Sequence, residues 1–227
     1  MIKQDIFFFM SSPKTEIEWI ISDNPVPYPQ ALAFMDERVA AIRDGAAPET
    51  VWLLEHPPIY TAGTSADISE LVDPERFDVF ETGRGGRYTY HGPGQRIAYV
   101  MLDLKKRGPD VRAFVHNLEK WVISTLAETG ITGERREGQV GIWVEQKQPD
   151  GRGLTHENKI AAIGVRIRRW VTFHGISINI NPDLDHFTGI IPCGIEDHGI
   201  TSYEKLNVPI SKQKIDDALK RCFSSIF

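Results

Sequence analysis

Two thiols, seven histidines and one lysine at the head of an apolar run are the groups in this 227-residue chain that could act as nucleophile, base or charge partner. Cys222 falls on the apolar stripe Ile215, Ala218, Leu219, Cys222, Phe223, Ile226, where a thiol behaves as a small hydrophobe. Cys193 sits in "TGIIPCGIEDHGI", between a proline that fixes the approach of the chain and a glycine that leaves a bare backbone N–H beside the sulfur. That suits a nucleophile with a neighbouring oxyanion donor, although the tripeptide alone fits a buried structural cysteine better. A free thiol is mostly protonated at neutral pH, so a nucleophilic Cys193 needs an activator. Lys159, His91, His174 and His198 are the candidates, and spacing does not choose among them. Lys159, after a polar turn, reads by itself as a solvated strand-end lysine, His174 as a hydrogen-bonded wall histidine, and His56 as a strand terminator.

A second chemical signal is "GRGGRYTYHGPGQ" at 83–95, where five glycines alternate with arginines, tyrosines and a histidine. Glycine allows close approach of another group to the backbone, so this segment reads as a binding loop. It is not a phosphate loop, since GxxxxGK[ST] is absent and "GRGGRY" has Tyr88 where the dinucleotide fingerprint needs its last glycine. Without HExxH, CxxC or paired histidines, no metal and no cofactor are expected.

The elements that position these groups follow from periodicity. "DIFFFM" and "EIEWIIS" read as strands, Tyr28–Asp44 as a helix with Ala31, Leu32, Met35, Val39 and Ile42 on one face, and 51–55 as a buried strand. Residues 97–104 form the next strand, and Val111, Phe114, Val115, Leu118, Trp121, Val122 and Leu126 mark a helix closed by Gly130. A strand at 140–145 is followed by an exposed turn, "QKQPDGRGLTHEN", with Lys159 opening the next strand. "KIAAIGVRIRRW" and "VTFHGISINI" pair as an antiparallel hairpin around Arg168–Trp170, with His174, Ile176, Ile178 and Ile180 on one face. The helical stripe that holds Cys222 ends the chain.

No linker, repeat or low-complexity tract divides the sequence, so one domain spanning 1–227 is expected, of mixed α/β (α+β) class with helices flanking a sheet. A net charge of -5 gives nucleic-acid binding little support. No run approaches the length needed to span a bilayer, so a cytosolic protein without a membrane partner is expected, with free thiols. Arg166, Arg168 and Arg169 read as a solvated edge that could meet an acidic protein.

Taken in order, "LLEHPPIYTAGTSA", "RGGRYTYHGPGQRIAYVMLDLK", "KIAAIGVRIRRWVTFHGISINI" and "FTGIIPCGI" closely resemble the lipoyl(octanoyl) transferase family, from about Leu53 to Ile195. The resemblance implies a largely antiparallel mixed sheet flanked by helices, as in biotin and lipoate protein ligases. It implies a reaction in which an octanoyl group passes from octanoyl-acyl carrier protein to a cysteine thioester, then to a specific lysine on lipoyl domains of 2-oxo acid dehydrogenases or on the glycine-cleavage H protein. By motif, Cys193 is the nucleophile and Lys159 the lysine that lowers its pKa. Substrate contacts map onto Arg84, Gly85, Gly86, Arg87, Tyr88, Thr89, Tyr90 and His91, onto Ala162, Ile163 and Gly164, and onto His174, Gly175 and Ile176. The glycine-rich loop then reads as an acyl clamp walled by Tyr88, Tyr90 and His91. The rival readings are an ATP-dependent lipoate or biotin ligase, which has no need of Cys193, a cysteine acyl-thioester hydrolase, and a non-catalytic acyl-binding module.

Overall fold

The computed structural model describes residues 17–147, 155–191 and 199–227. Among the described residues, eleven strands and four α-helices run in the order β1 (Glu18–Ile21), α1 (Tyr28–Arg43), β2 (Thr50–Leu54), β3 (Ile59–Ala62), β4 (Val79–Glu81), β5 (Tyr88–His91), β6 (Gln95–Met101), α2 (Leu104–Arg107), α3 (Val111–Glu128), β7 (Glu134–Arg136), β8 (Gln139–Lys147), β9 (Thr155–Arg168), β10 (Val171–Asn179), β11 (Gly199–Ile200) and α4 (Lys212–Phe223). The large sheet has the order β1-β2-β6-β10-β9-β8-β7, with β11 pairing parallel to β9. Apart from the parallel β1–β2 and β9–β11 pairs it is antiparallel.

Helices cover this sheet on both faces, which is why β2 and β6 are buried along their whole length. On one face α3 and α4 bring Leu118, Trp121, Val122, Leu219 and Phe223 against Val51, Ala98, Val100, Ile176 and Ile178. On the other, α1 lays Ala31, Met35, Val39 and Ile42 on Trp52, Tyr99, Met101 and Phe173. The caps agree with the residue types. The Asp110 carboxylate accepts from Ala113 N–H at the start of α3, and Ser211 accepts from Lys214 N–H at the start of α4. Cys222 is buried on α4, as its stripe required.

Several expectations need correction. "DIFFFM" lies outside the described residues. The segment 83–95 is not all loop: Tyr88–His91 is a strand in a second sheet, order β4-β3-β5, whose short members carry too little pattern to stand out. β7 was likewise missed. The turn expected at 146–158 extends too far, because Thr155–Asn158 already belongs to β9, and Lys159 therefore lies inside a strand. The arginine cluster lies on the end of β9 beyond its pairing with β8, which stops at Ala161, so β10 is its strand partner there; Arg166 lies over the Phe173 ring, while Arg168 and Arg169 at the hairpin tip are exposed. At that tip Arg169 and Trp170 both adopt positive φ, 53° and 70°, forming the two-residue turn.

Candidate active site

A cleft of about 620 Å³, its open mouth included, lies between the β9–β10 pair and the glycine-rich segment. Arg84 to Thr89, His91, Lys159, Ala162 to Gly164 and His174 to Ile176 all line it. Tyr90 does not. Strand alternation in β5 sends Thr89 and His91 one way and Tyr90 the other, where its ring packs on Phe77 and Phe187 and its hydroxyl meets His186 Nδ1 at 2.8 Å. Tyr88 joins the same small core while still bordering the cleft. Of the wall expected from Tyr88, Tyr90 and His91, Tyr90 therefore turns away, and Thr89 faces the cleft beside Tyr88 and His91.

Arg84 is buried and its guanidinium ties the loop to β3: Nη2 donates to Thr61 C=O and Oγ1, each at 2.7 Å, and to Arg87 C=O at 3.0 Å. The loop approaches Gly63 so closely that a Cβ there would lie 2.2 Å from Gly86 C=O, while Gly86 itself has φ 89°. These contacts hold the Gly85–Gly86 backbone as one wall. Arg87 reaches outward to pair with Glu70.

Lys159 is only 6% exposed, contrary to a solvated strand end. Pairing of β8 with β9 slips from Ile142–Ala161 to Trp143–Lys159, so Ile160 is an extra residue in β9. Ile160 and Ala161 then both pack into the core, and this bulge turns Lys159 to the cleft side with Ala162. Its Nζ donates to Val140 C=O at 3.1 Å and lies 4.7 Å from the centre of the Trp143 ring. Cys193 and His198 lie outside the described residues. The chain re-enters them at Gly199, and Gly199–Ile200 pairs with Asn158–Lys159.

His174 departs from the expected face. Its φ of 59°, unusual for a non-glycine residue, turns the ring away from Ile176 and Ile178 and toward α1, where Nε2 meets the Tyr28 hydroxyl at 3.2 Å. His56, just past the end of β2, is also a fully buried hub, with Nδ1 2.5 Å from Val26 C=O and Nε2 2.7 Å from the Tyr99 hydroxyl. Tyr28, His56, Tyr99 and Ser177 were not found from sequence, since nothing in their spacing links them; they meet only when α1, β2, β6 and β10 come together.

Burial lowers the pKa of His56 to about 4 and those of His91 and His174 to about 3. Nearby charge helps, from His56 at His91 and from Arg84 and Arg166 at His174. Because the folded values lie below the unfolded value of about 6.5, the unfolded chain binds more protons in between. Stability is therefore complete above the unfolded value and is lost as pH falls toward 3. Each histidine withdraws about 2 kcal/mol by about pH 5. Melting at about pH 7.5 and about pH 5 is expected to show a drop in Tm of several degrees per histidine at about 2–4 °C per kcal/mol; equal Tm values would mean that the rings protonate in the fold.

Residues 27–224 match the model of the lipoyl protein ligase A/B catalytic domain. An octanoyltransferase of Dinoroseobacter shibae is 62% identical over 213 residues, covering 93% of this chain and 97% of its own length. Another, from Paramagnetospirillum magneticum, is 63% identical over 211 residues, covering 93% and 97%. Among solved structures, the bi-partite lipoate protein ligase from Thermoplasma acidophilum superposes with a TM-score of 0.65 at 16% identity, covering 93% of this chain and 84% of its own. A lipoate-protein ligase A bound with ATP gives 0.68 at 17% identity, covering 93% and 85%. At such identities these two share the fold, a mixed sheet with flanking helices.

Proposed function

Since the chain belongs to the lipoyl protein ligase A/B catalytic-domain family and matches octanoyltransferases at 62 and 63% identity, it is an acyltransferase of lipoate biosynthesis, and we propose the route it takes. Octanoyl-acyl carrier protein is the donor. The Cys193 thiolate attacks its thioester carbonyl, a new C–S bond forms, and the carrier's sulfur leaves and takes up the proton that Cys193 lost. The ε-amine of a lysine on a lipoyl domain, that of the glycine-cleavage H protein included, then attacks the octanoyl-cysteine. A C–N bond forms, the C–S bond breaks, and the amine's proton ends on the Cys193 sulfur.

The observation that carries this reading is the buried side chain of Lys159, turned into the cleft by a bulge and paired through its backbone to the strand that follows the Cys193 segment. A positive charge in a poorly solvated wall favours a neighbouring thiolate. The octanoyl tail suits the rest of the cleft, bordered by Gly85, Gly86, Ile97, Val140 and Ala162. Burying its seven carbons beyond the carbonyl contributes roughly 5 kcal/mol. In this reading the whole chain works as one catalytic domain in the cytoplasm.

Intact-protein mass spectrometry tests the route. Incubation with octanoyl-acyl carrier protein should add one octanoyl group that hydroxylamine removes, as a thioester requires, and an apo lipoyl domain should discharge it. Modification of the lipoyl domain only with free octanoate and ATP would replace this route with adenylate chemistry, and release of free octanoate without an acceptor would indicate a hydrolase.

A further inference from the structure

The turn "HGPG" brings β6 back beneath β5, with Gln95 N–H donating to Gly92 C=O, and Ile180 and Asn181 N–H donating to Gly94 C=O. This places Gln95 between His91 and Asn179, its register partner on β10. A chain of buried hydrogen bonds results. Asn179 Nδ2 lies 3.0 Å from Thr201 C=O, Gln95 Nε2 lies 2.9 Å from Asn179 Oδ1, and His91 Nδ1 lies 2.6 Å from Gln95 Oε1. His91, Gln95, Asn179 and Thr201 are 9, 2, 5 and 0% exposed.

The direction of this chain is set at one end. A backbone carbonyl only accepts, so the group of Asn179 facing Thr201 must be its NH₂; its oxygen then accepts from the Gln95 NH₂, and the Gln95 oxygen is left facing His91. Reversing the amides would set oxygen against oxygen among buried groups, at the cost of an unpaired buried polar group. His91 therefore carries its proton on Nδ1, and Nε2 keeps a bare lone pair. Burial keeps the ring neutral, so that lone pair persists at working pH. The other two rings differ: His56 Nε2 is taken by the Tyr99 hydroxyl, and His174 Nδ1 is buried without a hydrogen-bond partner. Among the described residues His91 Nε2 makes no hydrogen bond, and His91 lines the same cleft as Lys159.

A lone pair held in this way suits an N–H or O–H donor. In the octanoyl transfer proposed above, on which this inference rests, the thioester brings only a carbonyl to the reacting centre, whereas the attacking lysine amine brings N–H. We propose that Gln95 and Asn179 are positioning residues that hold His91 as its Nδ1–H tautomer, so that Nε2 accepts an N–H of the acceptor lysine and aims the amine lone pair at the octanoyl-thioester carbonyl. The discharge step depends on this arrangement, and loading of the enzyme does not.

Two measurements test it. Nitrogen-15 NMR of the histidine-labelled protein, with the His91 signals assigned by their loss in a His91→Asn variant, reads the tautomer without any substrate; a protonated Nδ1 and a bare Nε2 are expected. An Nε2–H tautomer in the wild type overturns the proposal whatever the kinetics show. The half-reactions are then separated by mass spectrometry in Gln95→Leu and Asn179→Leu. Discharge onto a lipoyl domain should fall about 10–100-fold, as when the partner that orients a metal-bound histidine is removed, and by at least about tenfold more than octanoyl loading. Equal slowing of both steps, at unchanged tautomer, marks the amides as merely structural and overturns the proposal. Absence of any octanoyl adduct on wild-type protein instead removes the transferase reading and the acceptor role with it, while the tautomer measurement still decides the relay.

Discussion

Lys159→Met is expected to lower the rate of octanoyl-enzyme formation about 10²–10⁴-fold, the span associated with losing a positioned acid–base or charge partner. Methionine keeps the apolar stem that fills the space beside Gly141, where a Cβ would lie 2.9 Å from Lys159 Cε, so the loss reports on the ammonium rather than on packing. Tm should stay equal or rise, because the variant no longer buries a charge. Cys193→Ala gives the limiting case: no adduct at any time, against slow accumulation in Lys159→Met. A burst of octanoyl adduct in Lys159→Met at the wild-type rate would remove the lysine from the mechanism. Discharge should also slow in the lysine variant if Lys159 returns a proton to the leaving sulfur, and single-turnover mixing of pre-loaded enzyme with a lipoyl domain measures that step alone.

The second large effect concerns stability. Arg96, on β6, and Asp216, on α4, are 0 and 3% exposed and form two parallel hydrogen bonds of 2.7 Å, Nε to Oδ1 and Nη2 to Oδ2, while Nη1 donates to Ser22 C=O. Asp216→Ala leaves a buried guanidinium without its counter-charge, which costs about 3–5 kcal/mol. At about 2–4 °C per kcal/mol for a chain of this size, Tm should fall by about 6–20 °C. The double variant Arg96→Met with Asp216→Leu should recover most of the loss, since removing both charges also removes both desolvation costs. A Tm for Asp216→Ala within about 2 °C of wild type would mean that water reaches the pair.

Both predictions bear on how far the amino-acid sequence could be read. The helices α1, α3 and α4, the long buried strands and the β9–β10 hairpin were legible because each carries its own period and its own stop, as the Asp110 cap and the positive φ of Gly130 do for α3. The order of motifs from Leu53 to Ile195 marked the family and most of the cleft in the same way, since residues close in sequence stay close in a loop or strand. Asp216 was passed over because it sits next to an apolar stripe, and no local pattern tells a buried aspartate from a solvated one.

What the tertiary structure alone decided are features that rest on pairs distant in the chain. The bulge at Ile160 arises from β8–β9 register and reverses the face of Lys159; the positive φ of His174 does the same for that ring. Simple alternation put His174 on the wrong side and gave Lys159 no face at all, because period-2 reasoning assumes an unbroken ladder. The second sheet depends on pairing between short strands, with partners as far apart as Ile59 and His91. The His91–Gln95–Asn179–Thr201 chain spans 110 positions, and its direction comes from a backbone carbonyl that only the folded chain brings within reach. Side-chain types and local periods were therefore set by the sequence read linearly, whereas the aim of each reactive atom was set by strand register and long-range hydrogen bonding, which have no local signature.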